Sequence, residues 1–400
     1  MKIKNFLAMM VVALCIVACS SDDDGPSPAQ SVAGAYKGYV IMDSPRSGTQ
    51  SPVEDQTVTI TTNEDGTATV NYTSSTSLGT STISAAIVTA TTNGYTISGT
   101  GVSTMAMNGT SGSYDCTLAG TINADKSDVK IVFTIPTVMG GTTITFQLGN
   151  APENLLVAGK YSSYSSATSP TGAAYGTYND ESITLKANTE NGKVDFTYSG
   201  QWGEGTATDL EVSKKDGSYI VSGSGNTVIR GTEYKFTIEG TISADKSTAS
   251  FVMTIALGGM GTVIVTTNLG DAPAAMLIAG AYNGTLDMSV MGASQGSFDD
   301  SKVTIKAQED GKVEVTLAKF GGDGAMAFTE DIVMKDIELT IKEDTYTLAG
   351  TVNTTSATAS GKIDVTGTLS GTIKDGKANF LFKLKPGAMP MFLDMTFESK

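Results

Sequence analysis

The sequence of 400 residues contains no histidine. Nucleophilic enzymes of the Ser-His-Asp and Cys-His types need an imidazole as general base, and imidazole is also a usual ligand of zinc and copper. We therefore expect no metal site and no other cofactor. A glycosidase needs only paired carboxylates, and the candidates are Asp299-Asp300, Glu330-Asp331 and Glu343-Asp344. Each pair lies beside a predicted turn or strand end and none recurs in the repeats described below, so we expect no catalytic residue and no enzymatic activity.

Cysteine is scarce, with three residues in the whole chain. Cys15 and Cys19 lie in the N-terminal segment, which leaves Cys116 as the only thiol in the remainder. No disulfide can form within that remainder. Its stability has to come from packing.

The sequence also lacks an apolar run long enough to span a bilayer as a helix. Residues 6–17 form a shorter run that follows Lys2 and Lys4, a pattern typical of a secretion signal. The run ends in Ile-Val-Ala-Cys at residues 16–19, which resembles the bacterial lipobox, where cleavage precedes a lipidated cysteine. We therefore expect residues 1–18 to be a lipoprotein signal peptide and Cys19 to carry the acyl chains, palmitate among them. Ordinary signal cleavage beside an incidental cysteine is the alternative.

The segment after Cys19 is polar and acidic. Residues 20–26 read Ser-Ser-Asp-Asp-Asp-Gly-Pro, so we expect residues 19–30 to be the lipidated cysteine and a disordered tether. The Asp triplet resembles the export signal of Bacteroides-type lipoproteins, which reach the outer face of the outer membrane; a solvated linker is the alternative. The expected location is therefore the cell outer membrane, with the chain lipid-anchored and exposed at the cell surface.

Negative charge dominates the chain. The formal net charge of −15 becomes −17 when two lysines leave with the signal. A field of this sign repels nucleic acid and anionic membrane surfaces. We expect no nucleic-acid partner, and we expect membrane attachment through the lipid anchor alone.

Internal repetition divides the rest of the chain. Three motifs recur in the same order, and the tyrosines that end the first motif are 125 and 121 residues apart. A period of this length exceeds one solenoid or propeller repeat, so each copy is expected to be a domain, at residues 31–152, 153–273 and 274–400. The motifs are Val/Ile-Ala-Gly-x-Tyr at residues 32–36, 157–161 and 278–282, a Tyr-centred segment at 94–99, 218–223 and 345–350, and Gly-Thr-Ile followed by Lys at 120–126, 240–246 and 371–377.

Each copy has the two-residue periodicity of β-strands and no helical period. The predicted strands are short and rich in Thr, Val, Ile and Tyr, and Asn-Gly or Asp-Gly turns separate them. About eight antiparallel strands per copy predict an all-β fold. An up-and-down barrel is favoured, with a two-sheet β-sandwich as the alternative. In the first copy the predicted strands are residues 35–42, 56–62, 67–72, 82–88, 95–98, 114–122, 129–135 and 142–148.

The three motifs and the two closing strands of each copy resemble the calycin-like, or lipocalin-like, β-barrel domains of uncharacterised Bacteroides-type outer-membrane lipoproteins. The resemblance covers nearly all of residues 31–400, and residues 299–305 and 311–317 of the third copy match best. It implies three tandem barrels in an envelope protein. Calycins bind small hydrophobic molecules inside their barrels, and the resemblance implies no catalytic residue.

Aromatic side chains gather in the second copy, which also contains the single tryptophan of the chain. Trp202 lies in Gly-Gln-Trp-Gly at residues 200–203, a predicted loop, and Tyr164, Tyr175 and Tyr178 lie on or near predicted strands. Exposed aromatic rings stack on sugars or anchor protein interfaces. These four residues are the candidate ligand-binding residues. Tyr161 and Tyr198 belong to the same aromatic cluster. The alternative is that strand alternation places most of the tyrosines in the barrel core.

Two hypotheses for the function follow. The first is a surface-anchored, non-catalytic binding module for a glycan, a peptide or a small apolar ligand. The second is a structural spacer or envelope-interaction protein with no small-molecule ligand. An exposed Trp202 beside other aromatic rings would favour the first, and filled barrels with acidic loops would favour the second.

The lipid anchor can be tested directly. Replacing Cys19 with alanine removes the acceptor thiol, so we expect Cys19→Ala to leave the membrane fraction and to partition into the aqueous phase after detergent extraction. Metabolic labelling with a fatty acid should mark the unmodified chain and not the variant. A Cys15→Ala variant is the control and should still be labelled.

Overall fold

The computed structural model describes residues 25–74, 79–107, 110–322 and 327–400. The predicted signal peptide and the predicted lipidation at Cys19 lie outside the described residues. The chain divides into two compact units, Met1–Ala151 and Pro152–Lys400. Within the described ranges, no helix has both the length and the hydropathy needed to cross a membrane.

Barrel 1 lies in the first unit. Its elements are helix α1 (Pro28–Val32) and strands β1 (Gly34–Ser44), β2 (Gly48–Thr49), β3 (Val53–Thr62), β4 (Ala68–Thr73), β5 (Thr80–Thr91), β6 (Gly94–Met107), β7 (Thr110–Asn123), β8 (Val129–Ile135) and β9 (Thr142–Leu148). The two-residue strand β2 pairs only with the end of β1. The other eight strands form a closed antiparallel sheet, because β1 pairs with both β3 and β9.

Barrel 2 begins the second unit. Its elements are helix α2 (Glu153–Val157) and strands β10 (Gly159–Thr168), β11 (Ala174–Ala187), β12 (Val194–Gly200), β13 (Gly203–Lys215), β14 (Ser218–Ile229), β15 (Thr232–Ser243), β16 (Ala249–Ala256) and β17 (Thr262–Leu269). A single 3₁₀ turn, Gly258–Met260, joins β16 to β17. Each strand pairs with the next, and β10 closes the barrel against β17.

Barrel 3 has the same topology. Its elements are helix α3 (Ala274–Leu277) and strands β18 (Gly280–Val290), β19 (Ala293–Ala307), β20 (Val313–Leu317), β21 (Ile332–Lys342), β22 (Thr345–Thr358), β23 (Gly361–Lys374), β24 (Lys377–Pro386) and β25 (Leu393–Ser399). Strand β18 pairs with β25 and closes the sheet. The predicted all-β fold of three eight-stranded antiparallel barrels is confirmed, and the sandwich alternative is wrong.

Strand alternation builds each core. In β8 the side chains of Val129, Ile131, Phe133 and Ile135 are buried, and the residues between them face outward. Threonine takes many of the outward positions, where its branched side chain suits an extended backbone. Several strands are longer than predicted; β6 and β7 have 14 residues each, because they form one continuous hairpin ladder.

The first repeated motif closes one end of each barrel, where a short helix precedes the first strand. The tyrosine hydroxyl donates to the carbonyl of the residue four positions earlier, at 2.6 Å for Tyr36 and Val32, 2.6 Å for Tyr161 and Val157, and 2.8 Å for Tyr282 and Ile278. The carbonyl at the end of the short helix therefore has a partner, which is buried in barrels 1 and 2 and half-buried in barrel 3. We name this the closed end, and the opposite end the open end.

The third repeated motif contacts the first one at the closed end. The ammonium group of Lys126 donates to the carbonyl of Ala33 at 3.4 Å, and that of Lys246 donates to the carbonyl of Ala158 at 3.0 Å. Burial lowers the pKa of Lys246. In barrels 1 and 2 the two motifs therefore meet at the closed end.

Helix α1 differs from the disordered tether expected up to residue 30. Ser27 and Gln30 form a reciprocal capping box, in which each side chain accepts from the other residue's backbone N–H, and Pro28 occupies the first turn. Ala29 and Val32 are fully buried in the barrel 1 core. This burial supplies the stability that such a short helix lacks by itself.

The tyrosine bond of the closed end predicts a pH-dependent stability. Burial raises the pKa of Tyr161 from 10 to about 12, so its contribution to stability is present below pH 10 and is lost as the pH rises from 10 through about 12. Tyr161→Phe should lower the free energy of unfolding of barrel 2 near neutral pH by about 1 kcal/mol and should lose less stability in that alkaline range. The measurement is urea unfolding followed by the fluorescence of Trp202, the only tryptophan. Tyr36→Phe in barrel 1 is the control and should leave this transition unchanged.

Candidate functional site

The open end of barrel 2 carries a pocket of about 470 Å³. Four turns meet there, which join β10 to β11, β12 to β13, β14 to β15 and β16 to β17. We name this cavity the mouth pocket. Its aromatic and apolar lining consists of Tyr175, Tyr178, Trp202, Ile229, Tyr234, Leu257 and Met260, and its polar lining includes Gln201, Arg230 and Thr232.

A larger depression, of about 670 Å³, lies elsewhere on barrel 2. Most of its lining consists of threonine, serine and small side chains. Phe236 is the only aromatic residue in that lining, and it is 2% exposed, so its ring face is not available to a ligand. The mouth pocket is therefore the better candidate for ligand binding.

Trp202 occupies the tight turn between β12 and β13. Its ring lies 6.1 Å from that of Tyr175, centroid to centroid, at an interplanar angle of 56°. Trp202 packs partly against the barrel core, whereas Tyr175 is 47% exposed and Met260 is 72% exposed. An aromatic and apolar surface therefore faces solvent at this end of the barrel.

A buried carboxylate fixes the Trp202 turn from below. Glu181 is 3% exposed and accepts hydrogen bonds from the Tyr198 hydroxyl and, at 3.0 Å, from the Gln201 N–H. The Tyr198 hydroxyl oxygen in turn accepts from the backbone N–H of Trp202 at 3.4 Å, and the Thr227 hydroxyl donates to the backbone carbonyl of Trp202 at 3.1 Å. Burial raises the pKa of Tyr198 well above its usual range, and the hydrogen bond and charge of Glu181 add to the effect.

Only glycine fits at position 200. A β-carbon there would overlap the Glu181 carboxylate and would lie 2.6 Å from the Tyr198 hydroxyl oxygen. Because Gly200 has no side chain, the turn that carries Trp202 can pack directly against Glu181 and Tyr198.

Barrels 1 and 3 have no carboxylate at the position equivalent to Glu181. In barrel 1 the equivalent residue is Gln56, whose side-chain carbonyl accepts from the Tyr72 hydroxyl at 3.1 Å. In barrel 3 it is Ser301, and Leu317 lies at the position equivalent to Tyr198. Only barrel 2 therefore has a carboxylate at this position.

The structure brings together three of the four candidate binding residues. Trp202, Tyr175 and Tyr178 line the mouth pocket, and the Tyr178 hydroxyl donates to the Tyr175 carbonyl at 2.9 Å. Tyr164 does not join them. It alternates with the buried Ser163 and Ser165 on β10, so its half-buried side chain lies on the outer face of the sheet.

Sequence reasoning missed several residues of this site. Tyr198, a member of the aromatic cluster of the second copy, lies in the core beneath the Trp202 turn. Glu181 carried no signal in the sequence; in the structure it follows Asp180, whose φ of 61° accompanies a β-bulge that turns the next side chain inward. Met260 lies in a glycine-rich stretch that the sequence identifies only as a turn, and Arg230 and Tyr234 carried no signal.

No group of three or more His, Cys, Asp and Glu side chains converges to hold a metal ion in the described ranges. Among the acidic pairs considered for glycoside cleavage, Asp300 is 93% exposed at the side chain and forms an ion pair with Lys400 at 3.2 Å. This carboxylate is solvated.

Comparison with known proteins gives one family and several similar structures. The family described as the calycin-like β-barrel domain matches residues 32–150, 157–271 and 278–400. A candidate outer membrane protein of Bacteroides fragilis is 22% identical, with 94% of this chain and 100% of that chain covered and a TM-score of 0.28. Transferrin binding protein B of Neisseria meningitidis is 11% identical, with 92% and 77% covered and a TM-score of 0.19. The same protein of Haemophilus parasuis, as a double mutant, is 9% identical, with 94% and 76% covered and a TM-score of 0.19. No curated protein matches the chain.

The support of the Trp202 turn can be tested at Gly200. Gly200→Ala places a methyl group against the Glu181 carboxylate, so we expect barrel 2 to lose about 1–3 kcal/mol of stability and the Trp202 emission to shift to the red. Urea unfolding and steady-state fluorescence measure these effects. Gly259→Ala is the matched control, because a β-carbon there meets no atom within 4 Å. Equal behaviour of the two variants would contradict a turn that rests on Glu181.

Proposed function

This chain belongs to the calycin-like β-barrel family, and from that premise we propose that it is a non-catalytic binding module with its ligand site in the mouth pocket of barrel 2. The ligand is a glycan, a peptide or a small apolar molecule. The observation that carries the proposal is the pairing of Trp202 with the exposed Tyr175 beside a cavity of about 470 Å³.

The composition of the mouth pocket supports binding. Ligand sites are concave and mostly apolar, with volumes of about 300–1,000 Å³ and a few polar groups that orient the ligand. Here aromatic and aliphatic side chains form most of the lining, and Gln201, Arg230 and Thr232 lie among them. An aromatic surface left open to water has a free-energy cost that a ligand would remove.

Arg230 adds a second argument. It has a φ of 49° in the turn between β14 and β15, a conformation that asparagine, aspartate or glycine adopts more readily. Among the described residues it forms no ion pair. A strained, unpaired cation at the rim of a pocket is suited to contact a polar part of a ligand.

The cell-surface part of the proposal rests on the sequence. Cys19 would carry the acyl chains, and the acidic residues that follow would hold the barrels away from the membrane. Residues 31–152, 153–273 and 274–400 would act as the three domains. The anchored chain would then present the mouth pocket outside the outer membrane.

A structural spacer is the second candidate function. The interiors of barrels 1 and 3 favour it, because large apolar side chains fill them, among them Phe133 and Phe146 in barrel 1 and Phe382 and Phe397 in barrel 3. In this view these two barrels provide length and negative charge rather than ligand sites.

The proposal predicts that binding depends on one aromatic side chain. The chain of residues 20–400 would be applied to arrays of glycans and peptides and titrated with fatty acids. Trp202→Ala should weaken the binding of any ligand found by at least about tenfold, because a central aromatic anchor is lost. Tyr164→Ala, which removes an aromatic ring of the same barrel outside the pocket, should bind as the unmodified chain does. Absence of binding throughout would favour the spacer.

A further inference from the structure

Small and polar side chains occupy one inner wall of barrel 2, where β10 pairs with β17. Ser165 is opposite Thr267, and Ala167 is opposite Val265 one step nearer the open end; all four are buried. The other barrels have larger side chains at the equivalent positions. These are Val40, Phe146, Met42 and Ile144 in barrel 1, and Leu286, Phe397, Met288 and Met395 in barrel 3.

Compared with barrel 1, barrel 2 has Thr267 in place of Phe146 and Ala167 in place of Met42. These differences remove side-chain volume from the wall and add a hydroxyl group. Large-to-small replacements in a core leave space unless neighbours move in. On another wall of barrel 2, Phe236 is buried and packs against Phe196 at a centroid distance of 6.0 Å. Ala207 on β13 and Thr227 on β14 are also buried, so small and polar side chains in barrel 2 are not limited to the β10–β17 side.

Three donors at or near this wall lack a partner. The Ser165 hydroxyl, the Thr267 hydroxyl and the Trp202 ring N–H are inaccessible to solvent, and none of them forms a hydrogen bond with any described residue. Trp202 lines the mouth pocket and packs partly against the barrel core, and its ring nitrogen is closed to solvent. Buried polar groups in native proteins nearly always have a partner, so a ligand or a water molecule that supplies acceptors would satisfy these three groups.

The polar wall begins directly behind the mouth pocket. Tyr178 lines the pocket and is the ladder partner of Ser165, and Ser165 is the ladder partner of Thr267. The aromatic lining of the mouth pocket and the hydroxyl groups of Ser165 and Thr267 therefore lie on neighbouring positions of the same strands.

We infer that the ligand of the mouth pocket is a hydroxylated ring, such as the terminal pyranose of a glycan. Its apolar C–H face lies on Trp202 and Tyr175, and its hydroxyl groups accept from the Trp202 ring N–H and from the Ser165 and Thr267 hydroxyls. Binding has to open the way to these three donors, because they are closed to solvent in the free chain. An apolar ligand would leave them without an acceptor. This inference rests on the proposed function and narrows its ligand to one chemical class.

Calorimetric titration of the chain of residues 20–400 tests the ligand class. The probes are the methyl glycosides of hexoses and of N-acetylhexosamines, with cyclohexylmethanol as a ring of the same size that lacks the ring hydroxyl groups. At least one glycoside should bind about tenfold or more tightly than cyclohexylmethanol. Equal affinity, or no binding of any glycoside, would overturn the inference.

Variants of the inner wall test its role without changing its volume. Thr267→Val and Ser165→Ala should each weaken glycoside binding about fivefold or more. Thr267→Val should also raise the thermal midpoint of the free chain, because a methyl group replaces a buried hydroxyl that has no partner. The matched controls are Thr266→Val and Ser166→Ala, which change ladder partners on the outer face of the same two strands and should leave binding unchanged.

The combined results separate this inference from the proposed function. Binding that is lost in Trp202→Ala but kept in both inner-wall variants would overturn the inference and leave the mouth pocket as the ligand site. Binding that persists in Trp202→Ala would overturn the proposed function and the inference with it. Loss in Trp202→Ala and in both inner-wall variants, with the outer-face controls unaffected, is the expected result.

Discussion

Closure of each sheet is the constraint on which the rest of this structure depends. Because the first strand of every barrel pairs with the last, no strand of the closed ring has an open edge, and all side chains point either into the barrel or out of it. The interior is then reachable only at the two ends. A short helix and a tyrosine hydrogen bond occupy one end, so any internal site has to open at the other.

The three barrels share this frame and differ in what fills it. Barrels 1 and 3 place bulky side chains on the inner wall formed by the first and last strands, which gives a dense apolar core. Barrel 2 has Ser165, Ala167 and Thr267 on that wall, and a carboxylate, Glu181, above the core. Repeats that share their turn and closure residues can therefore serve different purposes.

Barrel 2 pairs a stability cost with a surface suited to binding. A buried carboxylate and hydroxyl groups without partners are less favourable in a core than the side chains of the other two barrels. The network around Glu181 and Tyr198 offsets part of that cost and holds the Trp202 turn in place. Side chains that are costly in a core and useful at a site mark the region in which function is to be sought.

The sequence by itself determined the three repeats and the strands of the first copy, and it favoured a barrel over a sandwich without deciding between them. Alternation and turn residues are local signals, and successive hairpins leave few ways to arrange eight antiparallel strands. It also identified Trp202 as a loop residue near other aromatic rings. Tertiary structure alone decided which tyrosines join it, because the side of the sheet on which a residue lies depends on register, and the β-bulge at Asp180 changes the register of β11. The role of Glu181 and the contrast between inner walls depend on strands distant in the sequence, and no local pattern encodes such contacts.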